Sequence, residues 1–229
     1  MNKLLRYTAW QLRLLARYQI LTVALVIAAI YMIILLLLKF LQTDIITTIF
    51  VFLDPTGMGF IFIGVMILFE KSDNTLEAQV VTPMNTSQYL WSKALALLIP
   101  ALICSTAIAF STQKFDFHPL PFFLSLILSS LIFTFIGIAG VIRVSTFNQY
   151  MVLIPVFMAP TAIPLLNYLG ITDWDILYII PTQATLNLFE DSFRNELHWS
   201  QLIDISYLGF WTWLSYYFAK KQFEKKMYR

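Results

Sequence analysis

ILTVALVIAAIYMIILLLL, residues 20–38, runs without a single charged side chain. A helix rising 1.5 Å per residue needs about 20 mostly apolar residues to cross the hydrocarbon core of a bilayer, and this stretch supplies them. Residues 90–111, 120–142, 151–169 and 202–219 meet the same requirement. A sixth stretch, 45–69, is interrupted by Asp54-Pro55, with Gly57 and Gly59 close behind. Its uninterrupted part, 58–69, is too short to cross alone unless 45–53 contributes, so it reads as a span with a weak or broken outer half. The expected fold is all-α and polytopic, with six transmembrane helices. The first run has a longer apolar core than a typical secretory signal, and no small-residue cleavage site follows Leu38. It is therefore expected to be a retained helix.

Composition agrees. The chain is 59% hydrophobic and only 12% charged, against roughly 45–50% and about 25% for a soluble domain. Polar surface at that density cannot cover a water-soluble fold, so the solvent is lipid. The net charge of +2 is too small to point to nucleic acid. Cys104 is alone and sits in an apolar run, which excludes a disulfide framework or a thiolate metal cage. His118 and His198 flank apolar runs and read as interfacial histidines rather than metal ligands.

Basic residues favour the cytoplasmic side of a membrane. With the amino terminus inside, inner segments hold Lys3, Arg6, Arg13, Arg17, Lys71, Lys93, Arg143, Lys220, Lys221, Lys225, Lys226 and Arg229. Outer segments hold only Lys39, Lys114 and Arg194 of the 15 basic residues. Both termini are therefore expected in the cytoplasm. An odd number of spans would carry the basic tail to the wrong side, which supports the even count.

The connecting pieces have their own patterns. Wound at about 100° per residue, residues 2–17 put Lys3, Arg6, Arg13 and Arg17 in one arc of roughly 80° and Leu4, Leu5, Leu12 and Leu15 in another of roughly 100°. That suits an amphipathic helix over 1–17 lying on the inner membrane surface, the alternative being a charged lead-in with no separate role. Between the second and third spans, Asn74 and Glu77 resemble a capping box, and Pro83 ends what they start. Residues 70–85 are thus expected to hold a short helix of about two turns, roughly 10 Å long. It reads as a surface for a partner, or as a capped connector against lipid headgroups. The segment 170–200 carries Asp173, Asp175, Glu190, Asp191 and Glu196, yet 176–180 and 186–189 are apolar enough to dip into the outer leaflet. One or two short helices at the outer surface are expected there.

Catalytic signatures are missing. No G-x-x-x-x-G-K-[ST] phosphate loop, H-E-x-x-H or G-x-S-x-G occurs. The chain reads as neither a nucleotide hydrolase nor an enzyme of another kind. Within the spans, Asp54 either faces a water-filled path or caps a helix beside Pro55. Pro155, Pro160 and Pro164 free backbone carbonyls and bend the fifth span, lining a cavity or only fitting its neighbours. Gly57, Gly59, Gly64, Gly137 and Gly140 suit close helix approach.

The order Glu70-Lys71…Thr75-Leu76-Glu77…Thr82-Pro83…Tyr89-Leu90…Lys93 resembles the connector of ABC-2-type permeases: Glu, then Gly-Thr-Leu, then Ser/Thr-Pro, then a Lys opening the third span. Here Asn74 stands where those proteins usually have Gly. Asp54-Pro55 and Pro181-Thr182-Gln183 resemble the fluoroquinolone-export permease branch in particular. The resemblance implies the ABC-2-type exporter fold, with residues 1–229 forming one transmembrane permease domain and 170–200 re-entrant in character. It also implies a multi-pass protein of the cell (inner) membrane that moves a hydrophobic or amphipathic substrate outward: drug-like, lipid-like or peptide. The implied partners are a cytoplasmic ATP-binding-cassette ATPase, a second copy or a homologous permease, and membrane lipids. ATP and Mg would be held by the ATPase, with no cofactor on this chain. Glu70, Thr75, Leu76, Glu77 and Pro83 would form the coupling element. Two other classes compete: a membrane scaffold or immunity protein that transports nothing, and an ion-coupled transporter. The latter is expected to carry more acidic residues in its spans or an inverted repeat, and neither is evident.

Overall fold

The computed structural model describes residues 3–38, 43–73, 75, 85–114, 116–195 and 198–227. Among them the regular structure is entirely helical: α1 Lys3–Arg17, α2 Ile20–Leu37, α3 Asp44–Gly57, α4 Ile63–Ser72, α5 Thr86–Gln113, α6 Pro119–Val141, α7 Phe147–Tyr168, α8 Pro181–Phe193 and α9 Ser200–Met227. A π-helical turn, Met58–Phe62, joins α3 to α4, and a 3-10 turn, Asp175–Ile179, precedes α8. Helices dominate because hydrocarbon offers backbone N–H and C=O groups no partner but each other.

Five of these helices are long and apolar enough to cross a membrane: α2, the continuous rod Asp44–Ser72, α5, α6 and α7. The apolar run 202–219 lies in α9, where Asp204, tryptophans and tyrosines leave it less apolar than the five.

The rod Asp44–Ser72 corrects the expectation of a weak or broken half-span, since it runs for 29 residues without interruption. Thr43 caps its start, accepting from the Ile46 N–H at 3.3 Å. Pro55 removes one backbone donor. The π-helical turn that follows takes up the altered register, and Thr56 donates its hydroxyl to the Phe52 carbonyl at 2.8 Å. The rod tolerates Asp54 and Pro55 because it is central, with 72% of its most apolar stretch buried by other helices rather than lipid.

The hub is α6. It packs on α5, on the π-helical turn, on α8 and most extensively on α9. Gly59 and Gly137 bring it to backbone contact with the π-helical turn. A Cβ on Gly59 would lie 2.8 Å from Phe133 Cβ and 2.9 Å from the Thr134 nitrogen. One on Gly137 would lie 2.5 Å from Ile63 Cγ2 and 3.0 Å from the Gly59 carbonyl oxygen. Two spans stand apart: only 22% of α2 and 11% of α7 is buried.

The segment after α7 also differs from expectation. In place of helices resting on a surface, α8 is sunk into the bundle, with Pro181, Thr185, Leu186, Leu188 and Phe189 buried against its neighbours. The Ser125 hydroxyl donates to the Thr185 carbonyl at 3.0 Å, and Ser192 donates to the His118 carbonyl at 2.7 Å. These bonds fasten α8 along α6. Apolar side chains at 184, 186, 188 and 189 reach neighbours on more than one side, which a helix lying flat on a surface cannot provide.

Candidate functional site

Two polar features interrupt the apolar bundle, and one helical rod carries both. Glu70 lies in the last turns of α4 and Asp54 near the end of α3. At 1.5 Å per residue they are roughly 24 Å apart along the rod, with the π-helical turn between them.

At the Glu70 end, Glu70 and Lys93 are fully buried, and Lys93 Nζ lies 2.6 Å from Glu70 Oε1. The second carboxylate oxygen accepts from the Tyr89 hydroxyl at 3.1 Å. Lys93 also donates to Gln11 Oε1 at 3.3 Å and sits 4.9 Å from the centre of the Tyr89 ring. Glu70 therefore does not face outward to meet a partner. The pair joins three elements: Glu70 of α4 holds Lys93 of α5, and Lys93 in turn donates to Gln11 of α1. The expected amphipathic helix is present as α1, with Lys3, Arg6, Arg13 and Arg17 exposed, but Gln11 and Leu15 are buried and dock it on α5.

The next residue extends the clamp. Lys71 Nζ donates to the carbonyls of Val141, Ile142 and Val144 at 2.9, 3.2 and 2.6 Å. It thereby gathers carbonyls at and just past the end of α6, of which Val141's also accepts from the Val144 N–H at 3.2 Å. Asp73 Oδ2 accepts from the Tyr18 hydroxyl at 2.9 Å, at the turn between α1 and α2. Burial first, and then that bond to a carboxylate, push the Tyr18 hydroxyl up to about 12, so it remains a donor at neutral pH. The Thr75 hydroxyl donates to the Glu70 carbonyl at 3.1 Å. The base of the connector is thus tied to α1, α5 and α6 and to the α1–α2 turn. Of the expected coupling residues, Glu70 and Thr75 belong to this base, while Leu76, Glu77 and Pro83 lie outside the described residues. Sequence reasoning missed Gln11, and it placed Tyr89 and Lys93 in the connector pattern without pairing them with Glu70. The available signal was Lys93 at the start of an apolar helix, since a charge there requires a partner.

The second feature is a cavity of about 260 Å³ beside Asp54. It is bounded by Ala24, Ile27 and Tyr31 of α2, by Asp54, Gly57 and Phe62 of the central rod, and by Met158 of α7. Asp54 is 5% exposed, and the Ser105 hydroxyl of α5 donates to its Oδ2 at 2.9 Å. The prolines read as bending the fifth span lie on α7. Pro155 and Pro160 are on its exposed side and Pro164 is buried, and none of them borders the cavity. The helix continues through all three.

A family model matches this sequence over nearly its whole length. Residues 2–228 match the fluoroquinolones export permease protein family. The chain belongs to that family. Two curated members with this description, from Mycobacterium tuberculosis strains CDC 1551 / Oshkosh and ATCC 25618 / H37Rv, are each 29% identical over 144 residues. That alignment covers 61% of this chain and 60% of each relative, so the chain spans less than two thirds of their length. No solved structure gives a significant match. Permease-family membership and several apolar spanning helices together make this a membrane protein.

Proposed function

We propose that the chain is the membrane permease subunit of an ATP-driven exporter, energised by a separate cytoplasmic ATPase. The observation that carries the reading is the clamp of Glu70, Lys71 and Lys93, together with family membership. A segment that is only a loose tether needs no buried ion pair at its base. One that receives force from a partner does, because residues 76–84 then push on a base joined to several helices at once. The rod Asp44–Ser72 carries that displacement toward Asp54, and the π-helical turn is the place where it can yield.

In this reading α9 is the sixth span, both termini lie in the cytoplasm, and residues 1–229 are one permease domain of the ABC-2 type in the cell membrane. A second copy, or a homologous permease, covers the exposed faces of α2 and α7, including Val26, Ile33, Val152 and Val156 at 53–72% exposure. Pro155 and Pro160 belong to that face. Asp54 borders the transport path. The substrate is hydrophobic or amphipathic and drug-like, by analogy with the fluoroquinolones named for the two mycobacterial relatives. ATP and Mg are held by the ATPase, and this chain does no chemistry.

The test is a mild-detergent pull-down of the tagged chain from its native membrane, with partners quantified by mass spectrometry. A soluble ATPase is expected at near one-to-one stoichiometry. Replacing Leu76 and Glu77 with bulky residues of opposite charge is expected to remove the ATPase and abolish efflux while the chain still inserts. Recovery of the chain alone, under conditions that preserve a known permease–ATPase complex, would overturn the reading. Normal efflux from the double variant would overturn the coupling role of residues 76 and 77.

A further inference from the structure

The Asp54 carboxylate is held from behind and left open in front. Ser105 donates to Oδ2 at 2.9 Å and does not border the cavity. Among the described residues, Oδ1 has no hydrogen-bond partner, and no Lys or Arg forms an ion pair with Asp54. A carboxylate 5% exposed inside an apolar bundle is costly unless it takes up a proton or something of opposite charge meets it. The bundle solves that problem at Glu70 with Lys93, and at Asp54 it offers a cavity instead.

The lining decides what kind of cation fits. A hard metal ion requires about six oxygen ligands. Here the walls are mainly aliphatic, aromatic and thioether groups, including Tyr31, Phe62 and Met158, and the Thr56 hydroxyl is already bonded to the Phe52 carbonyl. Such a surface suits an organic ammonium: the carboxylate takes the N–H groups, and the apolar and aromatic walls, Tyr31 among them, take the attached ring or chain. A volume of about 260 Å³ admits a protonated amine with one such group. Asp54 would also disfavour an anionic ligand by like-charge repulsion in a site with little water.

We infer that the cavity between α2, the central rod and α7 binds protonated amines carried on an apolar ring or alkyl chain, with Asp54 as the group that selects the charge. This rests on the export-permease reading and names the substrate class of its path.

The test uses two probes that differ in the charged group alone. Monodansylcadaverine ends in an ammonium, and the dansyl amide of pentylamine lacks it. Binding to the full chain, purified without any ATPase in zwitterionic-lipid nanodiscs, is followed by dansyl fluorescence. The amine is expected to bind at least about ten-fold tighter than the neutral analogue, the scale of one charge-assisted hydrogen bond. Asp54→Asn should abolish that preference, bringing the affinity of the amine down to that of the neutral probe on the same variant. Equal affinities in the wild-type chain, or a preference that survives Asp54→Asn, would overturn the inference.

A second measurement needs no variant. The amine should protect Asp54 of the wild-type chain from dicyclohexylcarbodiimide, read by peptide mass spectrometry, and the neutral probe should not. Equal protection by both, or by neither, would also overturn it. Because no ATPase takes part, a failure here leaves the pull-down result standing, and a failed pull-down leaves the binding result standing.

Discussion

Lys93→Met is expected to destabilise the purified protein by about 3–5 kcal/mol, the usual consequence of removing one partner from a buried ion pair. Methionine keeps much of the length and volume of lysine but leaves Glu70 with the Tyr89 hydroxyl and no cation, and Gln11 Oε1 without its donor, in a site with no access to water. The variant should melt at lower temperature and elute as a broad peak in size-exclusion chromatography. Glu70→Gln should also destabilise, since it strands the ammonium. Glu70→Gln combined with Lys93→Met should recover most of the loss, because no unpaired charge then remains. A double variant no more stable than Lys93→Met alone would mean the pair is not the energetic unit described. If the clamp transmits force, the recovered double variant should insert and assemble normally yet transport less per ATP hydrolysed.

Gly59→Ala is the second large effect, with an expected cost of about 1–3 kcal/mol from overpacking. The added methyl would meet Phe133 Cβ at 2.8 Å and the Thr134 backbone nitrogen at 2.9 Å. Backbone on the hub helix cannot swing aside as a side-chain tip can, so α6 must separate from the central rod. The position facing it is equally tight: a methyl on Gly137 would sit 3.0 Å from the Gly59 oxygen. Gly57→Ala and Gly209→Ala serve as controls, because nothing lies within 4 Å of a Cβ at either position. Both should be neutral or stabilising by up to about 1 kcal/mol, from helix propensity alone. Thermal melts of the four proteins check this, and equal behaviour of Gly59→Ala and Gly57→Ala would remove the close-contact argument.

Each part of the candidate site was visible in the sequence to the extent that its cause is local. Asp54 stood out because a carboxylate inside an apolar run is costly wherever the helix lies. Its partner and its cavity did not, since Ser105, Tyr31 and Met158 come from three other helices. Glu70 and Lys93 were legible as positions in a connector pattern, but their pairing spans 23 residues and the bond from Lys93 to Gln11 spans 82. Glu70 was read as part of a surface for a partner, and tertiary packing makes it an internal clamp. The prolines of α7 were open to two readings for a related reason. Proline changes a helix's backbone wherever it occurs, but whether it borders a cavity depends on which way the helix is turned.

The sequence by itself determined that this chain is an all-helical membrane protein, that five of its runs are apolar enough to cross, and where basic residues concentrate. Those properties follow from lipid, which penalises each exposed charge and each open backbone group independently of the rest of the chain. Only the tertiary structure decided that the rod Asp44–Ser72 is unbroken, that α8 is buried, and that one carboxylate is paired while another opens on a cavity. Those outcomes depend on which helices meet and in what rotation. Glycine contacts, side-chain volumes and ion pairs between distant segments set that rotation jointly, and no single stretch of the chain contains it.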